Sequence, residues 1–482
     1  MSNFQKIGIF SRLVELLNQN KGVHARGYNR RIKILVTSGL IIVILVALFA
    51  LLPRYNQTPQ MDTPVDAASP QPSTTASSNS DQNKITGNMN NFLTDIKESS
   101  DKTPRKPGVL ESAQTINSTT WRAMAAIAWR YYQPDTGVDR NTGLPLAGVG
   151  SPCITDWDLG AYIQAVIDAE SLGLVNRIGA WGFEERIDKV LDWLETRELS
   201  GANNPFWFYH SDTGAKVQDN SVPDEHIDIA DTGRLFVALN NLRDYGDYYT
   251  AKINRIVYGQ NYGRTNYANI VPTIKNLAET DTNIYAYYII RGIEAFYPEL
   301  TGSSRKVLDN ILSSEYIDVG GNVRLPKARI SCEPLLCAFF EIKNNDPRLK
   351  TLLDMTYSAH ETYYNENKKF RAFGEGPGSA SSDWQWEWIV LPDGRTWIAL
   401  NSAQEPITLP PMIYTKIAFS FLAIYNTNYT KNMCIYLEQN MQEPNNGFAH
   451  GVDENGNAHN GLGVLTNGLI LSAARYYIES NT

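Results

Sequence analysis

Five segments of this chain gather carboxylates next to aromatic rings, glycines or helix starts, an inventory suited to acid–base chemistry on sugars. Thr155-Asp-Trp-Asp-Leu-Gly160 sets Asp156 and Asp158 around Trp157, just before a long apolar helical pattern. Asp228 and Asp231 open a second such pattern, ahead of Arg234, and Ser331-Cys-Glu333 opens a third. Glu375 lies in a glycine-rich stretch followed by Asp383, Trp384, Trp386 and Trp388; towards the C-terminus, His450 and Asp453 precede Asn467. Glycoside cleavage uses one carboxylic acid to protonate the leaving oxygen and a second carboxylate to attack the sugar or activate water. Aromatic faces supply platforms for pyranose rings. On this reading Glu333 or Glu375 is the general acid, and Asp156, Asp158 or Asp231 is the base or a substrate-positioning group. Trp157, Trp207, Trp384 and Trp386 are sugar platforms; Arg234, Asp383, His450 and Asn467 complete the substrate contacts. The chemistry requires no metal and no cofactor.

Each position also has a purely structural reading. Thr155-Asp156 reads as a helix N-cap with Asp158 in the first turn, and Asp228 and Asp231 as charges facing a helix dipole. Glu333 before Pro334 reads as a cap region with proline at the first helical position. The Trp384/Trp386/Trp388 alternation reads as a strand burying one face, and Asp453–Asn457 as a turn. Recurrence of the acids at helix starts favours function over capping alone.

The elements that must position these residues are mostly helices. Helical spacing of apolar residues predicts helices over Trp121–Tyr132, Thr155–Leu172, Phe183–Arg197, Ile229–Asn241, Ile284–Tyr297, Ser303–Leu312, Glu333–Lys343, Arg348–Tyr364, Pro411–Tyr425, Thr430–Gln439 and Thr466–Ser480. Short strands are expected at Pro205–Tyr209, Phe370–Phe373 and Trp386–Val390. Helices paired this way can close into a ring with one set inside and one outside, which would bring the acidic loops to one face; an open α-solenoid fits the same helix count.

The motifs Thr155-Asp-Trp-Asp-Leu-Gly160, Asp228-Ile-Ala-Asp-Thr-Gly233, Ser331-Cys-Glu333, Ile413-Tyr-Thr-Lys-Ile-Ala-Phe419 and Thr466-Asn-Gly468 together resemble the bacterial domain of unknown function 3131, over roughly Trp121 to Tyr477. The resemblance implies an all-α, (α/α)6-toroid fold (a six-hairpin barrel), similar to glucoamylase-like and β-glucan-processing proteins. It marks Asp156, Asp158, Asp231 and Glu333 as site-like, and places Glu375 and Asp383 in a loop where such toroids carry a mobile acid. The stretch Asp393–Ile407 departs from the pattern as an apparent insertion.

The 482 residues carry a net charge of −8, with 26 Tyr and 10 Trp. Without a basic block in the folded part, nucleic acid is a poor partner; a polysaccharide or oligosaccharide suits the aromatic content. No G-x-S-x-G or H-E-x-x-H supports a protease. The four cysteines match no zinc spacing and read as free buried thiols; in an oxidising compartment, Cys153 and Cys332 are the pair to test, since each sits beside an acidic motif. Residues 34–52 form an uncharged apolar run about one bilayer crossing long. Lys21, Arg26, Arg30, Arg31 and Lys33 precede it and only Arg54 follows closely, which predicts a signal anchor with residues 1–33 cytoplasmic and the bulk outside. Residues 53–117, rich in Pro, Ser and Thr, read as a disordered stalk, and 118–482 as the toroid domain. The leading expectation is a membrane-anchored glycoside hydrolase acting on an extracytoplasmic polysaccharide. A non-catalytic glycan-binding or assembly scaffold is the alternative. A lyase using Tyr209, His210, His226 or His450 with Arg234 ranks last, because an acidic domain suits an acidic polymer poorly.

Overall fold

The computed structural model describes residues 106–217, 227–259, 265, 267–379, 384–442 and 444–481. The expected membrane span, Asp383, His226 and most of the stalk lie outside the described residues. Among the described residues no helix is long and apolar enough to cross a membrane.

In chain order the helices are α1 (Val109–Ser112), α2 (Ser118–Tyr131), α3 (Asp156–Ser171), α4 (Phe183–Thr196), α5 (Ile229–Leu242), α6 (Asp247–Tyr258), α7 (Val271–Thr280), α8 (Ile284–Glu294), α9 (Ser303–Ser313), α10 (Cys332–Glu341), α11 (Pro347–Asn367), α12 (Thr415–Tyr425), α13 (Asn428–Asn440) and α14 (Val464–Ser480). Six of them pack in the closed order α3–α5–α8–α10–α12–α14 and back to α3. Outside this ring, α4 packs on α3, α6 on α5, α9 on α8, α11 on α10, α13 on α12 and α2 on α14.

Sequence explains which helices go inside. In α3 every residue from Asp156 to Ala169 is buried, and α14 is buried nearly all round. In α4 only the stripe Phe183, Arg186, Ile187, Val190, Leu191 and Leu194 is buried, and the opposite face is charged. A helix apolar around its whole circumference needs neighbours on all sides, whereas a one-stripe helix suits an outer layer. Gly160 lets α3 approach closely: a Cβ there would stand 2.9 Å from the Arg234 backbone of α5.

Among the described residues, ten short strands make four small antiparallel sheets. They are β1 (Cys153–Ile154) with β2 (Tyr209–His210), β3 (Tyr316–Asp318) with β4 (Arg324–Pro326), the set β5 (Glu375–Pro377), β6 (Trp384–Val390) and β7 (Thr396–Leu400), and the set β8 (Met412–Tyr414), β9 (Ala449–Asp453) and β10 (Ala458–Leu462).

Several expectations shift. The helix expected from Pro411 begins at Thr415, because Met412–Tyr414 pairs with β9 as a strand. Helices α6 and α7 were not anticipated; aromatic and β-branched residues blur the period in Asp247-Tyr-Tyr-Thr250 and beyond. Phe370–Phe373 contributes a single bridge, Ala372 to Ile413, and no strand. Pro334 stands at the third position of α10, not the first. The Asp393–Ile407 stretch folds as β7, the third strand beside β6. Asp453 does form a turn, its Oδ1 accepting from Asn455 N and Asn457 N. All four cysteines are free, so Cys153 and Cys332 are not joined. Residues 109–112, within the stretch assigned to the stalk, are a docked helical turn: Leu110 is buried, and the Glu438 carboxylate accepts from Leu110 N and Glu111 N at 3.0 and 3.1 Å.

Candidate active site

The residues singled out by the sequence recur in the first turns of the inner helices: Asp156 and Asp158 in α3, Asp231 in α5, Glu333 in α10, Asn467 in α14. In the ring order, α3 and α10 stand opposite one another.

On the α3 side, Thr155 caps the helix. Its Oγ1 accepts from Trp157 N at 3.1 Å, and Asp158 Oδ2 accepts from Thr155 N at 3.1 Å, which closes a capping box. Asp156 points the other way, into a two-pronged ion pair with buried Arg197: Nη1 to Oδ1 is 2.5 Å and Nη2 to Oδ2 is 3.1 Å. Arg197 also donates to Tyr267 Oη at 2.8 Å. Asp156 is therefore charge-neutralised and geometrically fixed. Asp158 has no such partner; burial pushes it up to about 6, against the opposing pull of the Thr155 N–H, Arg234 and Lys416. Asp231, half-buried, has an Oδ2 shielded from solvent and without a hydrogen-bond partner among the described residues. Burial first, then Asp228, Asp158 and Asp156, hold it well above the usual carboxylate range. Asp228 is the N-cap of α5, accepting from Ala230 N and Asp231 N.

Arg234, one turn along from Asp231, lies under the site. Its guanidinium sits 4.7 Å over the Trp157 ring and donates from Nη2 to Glu341 Oε1 at 3.4 Å, while Nε and Nη1 have no protein partner. Glu341 also accepts from Tyr288 Oη. Trp157 in turn packs against Tyr285 and Tyr288, with centroids 6.2 and 6.0 Å away.

On the α10 side, Glu333 is 1% exposed. Its Oε1 accepts from Lys416 Nζ at 2.6 Å, and its Oε2 accepts from Glu375 N at 3.1 Å. Glu375 opens β5 and lies directly across from Trp386 on β6, with Pro377 across from Trp384. Directly opposed residues share a sheet face, so Glu375, Trp384 and Trp386 present their side chains together. The Trp384 side chain hydrogen-bonds the Glu375 carboxylate. Burial, then the neighbouring Glu333 charge, push Glu375 up to about 7; Lys416 and Arg234 pull the other way. A carboxyl at this value still carries a proton near neutrality. A second buried acid on β6, Glu387, accepts from Met412 N at 2.6 Å and is also held well above its usual range by burial.

Other predicted residues are placed differently. Trp207 packs on Phe208, with ring centroids 4.7 Å apart, in the loop before β2. His450 bonds Thr466 Oγ1 at 3.1 Å, and burial, His459 and Lys416 lower it to about 3, so it is neutral. The Asn467 side chain accepts from Phe448 N and donates to Phe448 O and Gly463 O; its amide is engaged with the backbone. Sequence reasoning passed over Arg197, Lys416, Tyr285 and Glu387. Lys416 did leave a signal, as a lone cation in the apolar run Ile413-Tyr-Thr-Lys-Ile-Ala-Phe419.

The closed helical ring is a fold shared with solved structures of carbohydrate enzymes. The endo-β-1,2-glucanase from Chitinophaga pinensis, solved with sophorotriose and glucose, superposes with a TM-score of 0.51 at 13% identity, covering 76% of this chain and 94% of that one. A candidate glucoamylase from Bacteroides caccae gives 0.54 at 15% identity, covering 76% and 94%. The endo-β-1,2-glucanase from Talaromyces funiculosus, in complex with sophorose, gives 0.50 at 11%, covering 78% and 90%. At these identities the likeness shows the fold. The chain itself belongs to the DUF3131 family, described as proteins of unknown function, whose sequence model matches residues 123–480. No curated protein matches the chain in sequence.

Proposed function

We propose that the protein is a glycoside hydrolase that cleaves an extracytoplasmic polysaccharide, with Glu375 as general acid and Asp158 as general base. The observation that carries this reading is Glu375: a buried carboxyl, raised to about 7, set on one sheet face with two tryptophans. A sugar stacked on Trp386 would bring its glycosidic oxygen within reach of that proton. Glu375 protonates the leaving oxygen as the bond to the anomeric carbon breaks. Asp158, ionised above about 6, removes a proton from the water that adds there. Asp158 then releases its proton to solvent, and Glu375 regains one from it. Asp156 and Asp231 orient the substrate and shape the field around Asp158. The likeness to β-1,2-glucanases supports a glucan among the first polymers to try.

Activity then requires Asp158 deprotonated and Glu375 protonated. The expected profile is a bell with an acid limb near 6 and an alkaline limb near 7. The test is reducing-sugar release by the full-length chain from β-1,2-glucan, other β-glucans and α-glucans. Glu375→Gln and Asp158→Asn should each lower kcat by about 10²–10⁴-fold in folded protein. Polymer binding without any release by the wild type would replace this reading with the non-catalytic scaffold.

We also propose that residues 34–52 anchor the chain, with residues 53–105 as the tether to the folded domain. The apolar run and its flanking positive charges support this orientation. A C-terminal alkaline phosphatase fusion should be active and a fluorescent-protein fusion dark; the reverse would place the domain inside.

A further inference from the structure

The mechanism above uses Glu375 and leaves Glu333 and Lys416, two fully buried charges, without a task. Both oxygens of Glu333 are already engaged, one by the Lys416 ammonium at 2.6 Å and one by the main-chain N–H of Glu375 at 3.1 Å. Gly374 makes room for this contact, since a Cβ there would stand 3.2 Å from Glu333 Oε2. Lys416 is 2% exposed in the first turn of α12, between buried Thr415 and Ile417. A buried ion pair gains little stability over a well-packed apolar pair. Its presence here is better explained by what it holds.

We propose that Lys416 and Glu333 form a positioning pair: Lys416 fixes Glu333 as a charged acceptor, and Glu333 pins the Glu375 main chain so that Glu375 alone exchanges the catalytic proton. This rests on the hydrolase reading for its consequence in turnover, but not for the hold on Glu375 itself. Trp384 completes the clamp by bonding the Glu375 side chain from β6.

The other charged and titratable groups around the pair come from five further elements and from α10 itself. Arg234 reaches in from α5 and Asp158 from α3. Tyr285 on α8 and Tyr414 on β8 feel both glutamates, and burial raises each well above the usual phenol range, so both stay neutral. Cys337 lies one turn along α10 and stays a thiol, because burial raises it. His450 on β9, near Lys416, is neutral. The Glu333 charge is thus the main negative neighbour of Glu375, and its removal has a definite sign: Glu375 must become more acidic.

The experiment titrates Glu375 in the full-length chain by 13C-carboxyl NMR, with the signal assigned by its loss in Glu375→Gln. No substrate is needed. In Glu333→Gln the Glu375 titration should fall by about one unit or more, because Lys416 remains and the repelling carboxylate is gone. The alkaline limb of the rate profile should move down with it, and kcat should drop about tenfold or more with KM within about twofold. Lys416→Arg should keep the wild-type titration. Should Lys416→Met fail to fold, the double variant Glu333→Gln/Lys416→Met, which leaves no buried charge unpaired, should fold and shift Glu375 less than Glu333→Gln does. An unmoved Glu375 titration in Glu333→Gln overturns the proposal. So does a rate profile in which Glu333→Gln abolishes turnover while Glu375→Gln retains it. A wild type that releases no sugar while the Glu375 titration still shifts sinks the hydrolase reading and leaves the positioning pair standing.

Discussion

At the mouth of α3, Asp156 is gripped by Arg197 and Asp158 is left without a counter-ion; opposite it in the ring, Glu333 is gripped by Lys416 and Glu375 is left without one. The two sides reach the same electrostatic result with different backbone. On the aspartate side the unpaired carboxyl belongs to a helix first turn, tied down by a capping box. On the glutamate side it belongs to a strand, tied down by a neighbouring carboxylate and an indole from the next strand. Burial alone would drive a proton onto every carboxylate here. A buried cation engages one member of each set and leaves the other without a counter-ion among the described residues. Two of the five predicted acids are thus held by cations.

The largest expected effect comes from breaking that symmetry on the aspartate side. Arg197→Met leaves Asp156 buried, unpaired and without its two charged hydrogen bonds. A buried ion pair broken from one end destabilises a protein by about 3–5 kcal/mol. Chemical denaturation should show a loss of that order. Asp156→Asn/Arg197→Met, which removes both charges, should recover most of it. If Arg197→Met unfolds at the wild-type midpoint, the pair does not hold α3 to the end of α4, and the parallel with Glu333–Lys416 fails.

The aspartate side was legible because its contacts are local. Thr155, Asp156 and Asp158 lie within one helical turn, and the capping reading holds: Thr155 caps and Asp158 closes the box, while burial raises Asp158 to about 6. The glutamate side was legible only in part. Glu333 and Glu375 stood out by type, but what separates their roles is Lys416, 83 residues away from Glu333. The alternation Trp384/Trp386/Trp388 does announce a strand, and a strand fixes which residues share a face; its partner, β5, is three residues long and carries two glycine neighbours of the acid, too short and too permissive for a pattern. Ring closure was not legible in the helix pattern, which an α-solenoid fitted equally well, and came from the family resemblance; the outer helix α6 hid behind a tyrosine-rich start.

A second test compares the sides through proton linkage. Asp158 and Glu375 are both raised in the folded state, to about 6 and about 7, from the ordinary 3.8 and 4.5 of free Asp and Glu. The folded protein then binds more protons than the unfolded chain between those values. Their contribution to stability is complete below about pH 4 and is lost as pH rises through about 7. Asp346 runs the other way: its hydrogen bonds and charge pairing with Arg348 lower it to about 2, and that contribution is lost below about pH 4. Glu375→Gln should flatten the decline between about pH 5 and 7 and stabilise the protein above pH 7, by on the order of 3 kcal/mol. Asp158→Asn should do the same over a window about one unit lower. Thermal melts across this range check both. A decline that persists unchanged in Glu375→Gln assigns the buried proton elsewhere on the glutamate side, with Glu387 the next acid to examine.

The smallest effect separates the aromatic residues of the two sides. Trp157 is 8% exposed and carries the Arg234 guanidinium on its ring, so its face is already occupied by the protein. Trp386 is half-buried, opposite Glu375, and packs against the small cluster of Trp388, Leu391 and Leu400. On the proposed hydrolase reading, this partly exposed ring beside the acid is the sugar platform. Trp386→Ala should raise KM about tenfold, roughly 1.4 kcal/mol, with kcat within about twofold and stability changed little. Trp157→Ala should instead show first in stability, because it empties a buried volume and strips Arg234 of its stacking partner. Isothermal titration with an inactive Glu375→Gln background measures the sugar affinity directly. An unchanged affinity in Trp386→Ala, with a weakened one in Trp157→Ala, would move sugar recognition to the aspartate side and leave the β5–β6 sheet with the single task of carrying the acid.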